Sequence, residues 1–247
     1  MRDATFIITA RLKSTRLPKK ILLEVKGKPL IVHMINRIKY SKKIKNIIIA
    51  TSTNTQDDIL EDIARKEKIL CFRGSEEDVL TRLLEASQKY NLSYFANITA
   101  DIPMIDPTLI DHGINVYKRI NPDLFLYEKY SFGICVVVKV SSLKKVCDLK
   151  KDKNTESWVK FFKATRNINI HIEKVSKENK NQNLKTSLDY YEDYLLIKKI
   201  FDELYKENEI FLNKDINNLL IKKPDIKNIN SNDTFLNRWK MHIERSK

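Results

Sequence analysis

The chain has 247 residues, of which 46 are Lys or Arg, 32 are Asp or Glu, 3 are Cys and only 4 are Gly. Ordinary usage would give about 17 glycines, and neither G-x-x-x-x-G-K-[ST] nor G-x-G-x-x-G occurs, which excludes P-loop and dinucleotide-fingerprint sites. The formal charge of +14 favours anionic partners, but no compact basic run alternates with aromatic residues, so no specific nucleic-acid site is expected.

The cysteines Cys71, Cys135 and Cys147 are too scattered for a disulfide framework or a zinc site. No apolar run approaches the roughly 20 residues of a membrane helix, and the N-terminal sequence MRDATFIITAR is too short for a signal peptide. We therefore expect a cytoplasmic protein with no membrane span.

Strands and amphipathic helices alternate four times in the first half of the chain. The predicted strands are 4–10, 45–51, 69–73 and 94–100. The helical patterns that follow them are P-L-I-V-H-M-I-N-R-I-K-Y (29–40), D-D-I-L-E-D-I-A-R-K-E-K (57–68), a helix behind a capping box formed by Ser75 and Asp78, and a helix from Asp106-Pro107 to about Ile120. Nearly all-apolar strands that alternate with helices predict an α/β fold with a mostly parallel sheet covered on both faces.

The pattern changes in the second half. Strands are predicted at 134–140, 168–175 and 184–189, a long helix from about Tyr190 to Asn208, and an exposed Lys/Asn-rich loop at 177–183. The expected organisation is a single domain over 1–247, with a core at 4–120 and 184–208, a mixed-sheet extension at about 125–176 and C-terminal helices at 209–247.

A basic loop follows the first strand, T-A-R-L-K-S-T-R-L-P-K-K at residues 9–20. Ligands of open α/β sheets bind beyond the carboxyl ends of the strands. The loop carries cations and two hydroxyls there: Arg11, Lys13, Ser14, Thr15, Arg16, Lys19 and Lys20. Because guanidinium and ammonium groups stabilise phosphate oxygens, the loop is a candidate polyphosphate site, with a solvated basic loop as the alternative.

Two aspartates are candidate metal ligands. Asp101 directly follows the fourth strand and faces the basic loop, and Asp189 ends the last predicted strand. Carboxylate oxygens suit Mg²⁺, although a turn or a helix cap is the alternative for each. Asp106 fits the cap better, because Pro107 follows it.

Five segments in this order resemble the spore-coat-polysaccharide type of cytidylyltransferase, which is related to the Kdo and acylneuraminate cytidylyltransferases. They are I-I-T-A-R-L-K-S-T-R-L-P-K-K (7–20), A-T-S-T-N (50–54), F-R-G-S-E-E-D-V-L-T-R (72–82), T-A-D-I-P-M-I-D-P-T-L-I-D (99–111) and S-L-D-Y-Y-E-D (187–193). The resemblance is strong over about 4–115 and moderate over 184–205. It implies a Rossmann-like nucleotide-diphospho-sugar transferase domain that transfers CMP from CTP to an acidic sugar or phosphorylated acceptor and releases pyrophosphate.

The resemblance also implies roles for individual residues. The triphosphate would be bound by Arg11, Ser14, Arg16 and Lys20, and the catalytic set would be Arg11, Arg16, Lys20 and Asp101. The nucleotide would be lined by Ala10, Ser52, Arg73, Gly74 and Ser75, with Asp78 and Arg82 supporting that side. Mg²⁺ would be coordinated by Asp101 and Asp189.

The chain departs from the family pattern at two places. Lys13 and Lys19 stand where the family usually has glycine, and Lys19 carries a conformational penalty if the loop needs a positive φ there. In the segment 131–138, Cys135 and Val137 stand where the family tends to have acidic residues. If those acids recognise the acceptor, this protein uses a different acceptor or has lost the site.

Several alternatives stay open. The same chemistry with GTP, or with a sugar 1-phosphate, is one, and a catalytically inactive nucleotide-binding relative is another. A glycosyltransferase is disfavoured because no D-x-D motif follows the fourth strand. The oligomeric state also stays open, and by analogy with the insertions of relatives the extension near 125–176 is a candidate surface for a homodimer.

Overall fold

A mixed sheet organises the computed structural model, which describes residues 2–128, 134–176, 179 and 184–230. Within these residues the sheet has seven strands: β1 Ala4–Thr9, β4 Ile44–Ser52, β5 Leu70–Gly74, β6 Tyr94–Thr99, β7 Leu124–Tyr127, β8 Val136–Lys139 and β9 Ile170–Glu173. The short strands β2 Glu24–Val25 and β3 Lys28–Pro29 pair with each other apart from it.

The strand order is β5-β4-β1-β6-β8-β7-β9. The first four strands in this order run parallel, β8 pairs antiparallel with both β6 and β7, and β9 runs parallel to β7. The sheet is therefore mixed and mostly parallel, which confirms the predicted fold class. Strand β7 was not predicted, because its four apolar residues are too few to give a periodic signal.

Helices cover both faces of the sheet. They are α1 Leu30–Lys39, α2 Asp58–Lys66, α3 Val79–Lys89, α4 Pro107–Ile120, α5 Val140–Leu149, α6 Val159–Ala164, α7 Tyr191–Leu204 and α8 Asn213–Lys222. Successive strand residues point to opposite faces: Phe6 and Ile8 share a core with α1, α2 and α4, whereas Ile7 shares one with α3, α5 and α6. Helices α7 and α8 form a third apolar cluster with Leu30 and Met104.

The segment 184–189 is not a strand, so that prediction was wrong. Strand β6 is already paired on both sides, by β1 and β8, and offers no free edge to it. The segment instead crosses near the end of β6, where the Leu188 N–H donates to the carbonyl oxygen of Asp101 at 2.8 Å. The following helix is also shorter than predicted, since the backbone becomes extended at Tyr205.

Two helix starts test the capping predictions. Helix α4 begins after Asp106, whose carboxylate accepts the Thr108 N–H at 2.8 Å, as predicted. Helix α3 begins at Val79 rather than after Ser75, because Asp78 accepts the Thr81 N–H and takes the N-cap position. The predicted contact between Ser75 and Asp78 is present, because Ser75 Oγ accepts the Asp78 N–H at 3.0 Å, but it lies one turn before the helix.

Parts of the predicted organisation lie outside the described residues, namely the loop 177–183 except residue 179, residues 131–133, and the C-terminal helices beyond 230. In the described part of the chain, no helix has the length and apolar character to cross a membrane.

Candidate active site

A cavity of about 450 Å³ opens beyond the carboxyl ends of β1 and β6. Because these parallel strands are neighbours, the basic loop after one meets the aspartate after the other. The predicted residues that line the cavity are Ala10, Arg11, Ser14, Arg16, Lys20, Arg82 and Asp101. Lys13 and Thr15 of the basic loop line it as well. The lining residues that were not predicted are Thr9, Ile21, Val79, Thr99, Ala100 and Glu156.

Lys20 joins two carboxylates at one part of this cavity. Its Nζ lies 3.2 Å from Asp101 Oδ2 and 3.3 Å from Asp189 Oδ1. Arg16 Nη2 donates to the same Asp189 oxygen at 2.8 Å. The basic loop and both predicted metal ligands thus come together in one network of opposite charges, which we call the Lys20 network.

Asp189 is ionised at neutral pH. Burial would raise the pKa of its carboxyl group, but the charges of Lys185, Lys20 and Arg16 outweigh burial and hold the pKa below its usual range. The network therefore presents a carboxylate whose side chain is only 16% exposed and which is balanced by cations that a phosphate group would also attract.

Asp193 fixes the main chain at Asp189, the residue that carries this carboxylate. Its Oδ2 accepts the N–H groups of Asp189 and Tyr190 at 2.9 Å each, and its Oδ1 accepts from the Asn230 side chain at 2.9 Å. The Asp193 side chain is buried and lies in the first turn of α7, three positions after the N-cap Tyr190. We did not predict this role, although an acidic residue three positions after a helix start is the signal of a capping box.

A second group of charges lines the cavity near Arg11. The Nη2 atom of Arg11 lies 2.8 Å from Glu156 Oε1. Lys13 pairs with Glu76 at 3.2 Å and Glu77 at 3.3 Å on the exposed rim. Nothing in the sequence around Glu156 signalled this position, since the contact joins residues far apart in the chain.

Arg82 is fully buried beside this second group. Its Nη1 donates to the carbonyl oxygens of Ser75 at 2.7 Å and Glu76 at 3.2 Å. Burial lowers the pKa of its guanidinium to about 10, so it keeps its charge at neutral pH. Arg82 thus shapes the turn after β5 while its side chain lines the cavity.

Asp189 is not among the lining residues, but it contacts Lys20 and Arg16, which are. The five other predicted residues that do not line the cavity are Ser52, Arg73, Gly74, Ser75 and Asp78. Ser52 donates to the buried Asp57 at 2.5 Å, and Asp57 accepts the Leu12 N–H of the basic loop at 2.8 Å. Ser52 therefore supports the loop through Asp57, which the sequence interpretation missed. The nucleotide contacts assigned to the five residues stay predictions.

Arg73 and Asp78 are engaged elsewhere. Arg73 lies in a separate surface depression, where Nη2 pairs with Asp58 at 2.6 Å and Nε donates to the Ser52 carbonyl at 3.0 Å. Asp78 caps α3 and pairs with Lys150. Both residues hold neighbouring segments in place rather than face the cavity.

The described departures from the family pattern have structural explanations. Cys135 and Val137 are buried in the core, away from the cavity lining. Lys19 has φ 53° and ψ 26°, the left-handed conformation that glycine adopts without strain. The loop therefore keeps a glycine-like backbone with a lysine side chain.

The cysteines are not activated nucleophiles. Burial raises the pKa of Cys71 and Cys147 to about 11 and that of Cys135 to about 12. A thiol with such a pKa carries almost no thiolate at neutral pH. In the folded protein the three cysteines are therefore thiols rather than thiolates.

The model of the cytidylyltransferase family matches residues 5–244. The chain belongs to the cytidylyltransferase family. A solved structure of a cytidylyltransferase from Leptospira borgpetersenii superposes with a TM-score of 0.82 at 25% identity, covering 92% of this chain and 97% of that one.

Three curated relatives of this cytidylyltransferase-family chain differ in how much they cover. The uncharacterized protein MJ1063 of Methanocaldococcus jannaschii is 29% identical over 92% of this chain and 93% of its own length. Spore coat polysaccharide biosynthesis protein SpsF of Bacillus subtilis is 37% identical over 55% of this chain and 58% of its own length. The 3-deoxy-manno-octulosonate cytidylyltransferase of Chloroherpeton thalassium is 32% identical over 45% of this chain and 44% of its own length. The family membership makes this chain a nucleotidyltransferase.

Proposed function

We propose that this enzyme transfers CMP from CTP to an acidic sugar or a phosphorylated glycan precursor and releases pyrophosphate. The observation that carries the proposal is the Lys20 network, where cations suited to a triphosphate adjoin Asp101 and Asp189. SpsF and the octulosonate cytidylyltransferase support the substrate class, because they are relatives connected with surface polysaccharide and with an acidic sugar.

The two carboxylates suit Mg²⁺. The ammonium group of Lys20 already lies within 3.3 Å of an oxygen from each, so this position attracts a cation. Among the described residues, no group of three or more His, Cys, Asp or Glu side chains could hold a metal alone. Mg²⁺ takes only one or two carboxylates where phosphate and water complete its shell. In this proposal Asp101 and Asp189 hold the ion, which neutralises charge on the phosphate oxygens.

The proposed reaction needs no enzyme nucleophile. A hydroxyl oxygen of the acceptor bonds to the α-phosphorus of CTP and loses its proton to solvent. The bond from that phosphorus to the bridging oxygen breaks, and pyrophosphate leaves with the electron pair. Negative charge spreads over the phosphate oxygens, and Arg16 and Lys20 stabilise it through charge-assisted hydrogen bonds.

The same reaction with GTP is the second candidate, since the Lys20 network recognises phosphate rather than a base. Location in the cytoplasm and a homodimer formed through 125–176 stay predictions alongside the reaction itself.

The test is a thermal-shift series with CTP, GTP, UTP and ATP, each with Mg²⁺. A ligand that binds only the folded state at 100 times its Kd stabilises it by about 2.7 kcal/mol. The proposal expects the largest rise in Tm with CTP. A larger rise with GTP favours the second candidate, and no rise with any nucleotide contradicts the proposal.

A further inference from the structure

A buried threonine fastens the segment after α5 to the N-terminus of α3. Thr155 is fully buried, and its N–H donates to the Glu77 carbonyl at 3.1 Å. Its hydroxyl donates to Asp78 Oδ1 and accepts the Leu80 N–H, both at 2.9 Å. The first N–H groups of a helix have no partner within the helix, so Thr155 provides one from another segment.

Lys150 attaches the same segment a second time. Its Nζ pairs with Asp78, and only 10% of its side chain is exposed. It also donates to the Asp152 carbonyl at 3.4 Å. The stretch from Lys150 to Thr155 therefore closes on one carboxylate, which we call the Asp78 clamp.

The clamp sets the position of the next residue. Glu156 follows Thr155 directly and lines the cavity, 2.8 Å from Arg11. Its side chain is 66% exposed, so the ion pair with Arg11 and the backbone held by Thr155 place it there, without a surrounding pocket. If the triphosphate binds at the Lys20 network, the nucleoside is left with this second group of charges.

The Arg11–Glu156 pair presents donors and an acceptor side by side. Cytosine offers the complement, because its exocyclic amino group donates while N3 and O2 accept. Uracil has a carbonyl oxygen in place of the amino group, which would face the Glu156 carboxylate with two acceptors. A carboxylate that accepts from the cytosine amino group is a recurring way in which proteins read this base.

We infer that Glu156 is a specificity-determining residue that accepts from the amino group of cytosine, and that Thr155 is the positioning residue that holds it there. The inference rests on the proposed function and adds the element that separates CTP from UTP.

Glu156→Gln tests the reading of the base. A carboxamide can turn either its oxygen or its amide nitrogen towards the base, so it serves both pyrimidines. We expect the ratio of kcat/KM for CTP to that for UTP, measured by pyrophosphate release, to fall at least about fivefold. The matched control is Asp152→Asn, which removes a carboxylate of the same segment outside the cavity and should leave the ratio unchanged. An unchanged ratio in Glu156→Gln overturns the inference.

Thr155→Val and Thr155→Ser test the positioning role. Valine keeps the shape of threonine but lacks the hydroxyl, whereas serine keeps the hydroxyl. Valine should raise the KM for CTP and lower the CTP/UTP ratio, and serine should restore both. A wild-type ratio in folded Thr155→Val removes the positioning role. Should that variant fail to fold, Glu156→Gln, a change at an exposed side chain, still decides the inference.

The wild-type enzyme separates the two hypotheses. If it releases no pyrophosphate from either pyrimidine nucleotide and neither raises its Tm, the proposed function fails and takes the inference with it. If it uses CTP while Glu156→Gln keeps the wild-type ratio, only the specificity assignment fails.

Discussion

The backbone N–H of Leu188 donates a 2.8 Å hydrogen bond to the carbonyl oxygen of Asp101. This bond ties the segment that carries Asp189 to the segment that carries the other carboxylate. Both acidic side chains then reach Lys20, which lies within 3.3 Å of an oxygen of each. The main chain, and not only the attraction of charges, therefore brings the two carboxylates together.

Lys20→Met should reduce turnover strongly. The substitution removes the ammonium that meets both Asp101 and Asp189, and losing one preorganised electrostatic contact typically lowers kcat by about 100-fold or more. Steady-state kinetics of pyrophosphate release, with thermal unfolding in parallel, measure this. Lys199→Met is the control, because Lys199 pairs with Glu203 on the surface of α7. Equal kinetics for wild-type protein and Lys20→Met would remove Lys20 from the phosphate site.

Lys19→Gly should stabilise the fold. A left-handed backbone costs an L-residue about 1–2 kcal/mol, which exceeds the extra chain entropy of glycine. We therefore expect the free energy of unfolding in urea to rise by about 0.5 kcal/mol or more. The same change at Lys42, which has no positive φ, should lower it. A loss of stability at Lys19 similar to that at Lys42 would contradict the assigned backbone conformation.

Asp78→Asn should destabilise the protein in a pH-dependent way. Burial opposes ionisation, but hydrogen bonds from Lys150, Thr81 and Thr155 hold the pKa of Asp78 below its usual range. The carboxylate then adds stability above its unfolded pKa of about 3.9, and this stability is lost as the pH falls through the lower folded pKa.

Urea unfolding at pH 7 and near pH 3 measures this effect. At pH 7 the variant should lose about 2 kcal/mol or more, because Lys150 is left buried without its partner. The difference from wild type should shrink at the lower pH. Asp148→Asn on the exposed face of α5 is the control and should change stability by less than about 1 kcal/mol. A difference that does not vary with pH contradicts the ionic role of Asp78.

Gly74→Ala should strain the turn beside Arg82. A Cβ there would lie 2.8 Å from Phe72 Cε1 and 3.3 Å from Arg82 Cγ. Overpacking of this kind destabilises by about 1–3 kcal/mol. Denaturant unfolding should show this loss, and Phe72→Leu in the same protein should recover part of it by removing the contacted ring atom. If the losses in unfolding free energy from Gly74→Ala and Phe72→Leu simply add in the double variant, the steric account is contradicted.

The sequence predicted what is encoded locally. Apolar strands end directly before Arg11 and Asp101, so the rule for the carboxyl ends of parallel strands was enough to place both at the cavity. The rule was too coarse for Ser52 and Arg73. Strand β5 is one of the two edge strands of the described sheet, and β4 separates it from β1, so the loops after β4 and β5 lie to one side of the cavity.

Contacts between distant segments escaped prediction. Glu156 lies beside Arg11 in a segment that Thr155 docks on α3, and no spacing in the sequence encodes that docking. The false strand at 184–189 has the same origin, since an extended sequence becomes a strand only where a sheet edge is free. Asp189 still reaches the site, because its position depends on the backbone hydrogen bond from Leu188 to Asp101 and on the contact with Asp193. It does not need the hydrogen bonds of a β-sheet.

Calorimetric titration of CTP into the wild-type protein, Asp101→Asn and Asp189→Asn, with and without Mg²⁺, tests the central claim most directly. The exposed pair of Asp62 and Arg65 on α2 provides the control variant Asp62→Asn. We predict that Mg²⁺ tightens CTP binding to the wild type and to the control by about tenfold or more, or about 1.4 kcal/mol, and that both site variants lose this gain. Equal Mg²⁺-dependent CTP binding in all four proteins would contradict the account.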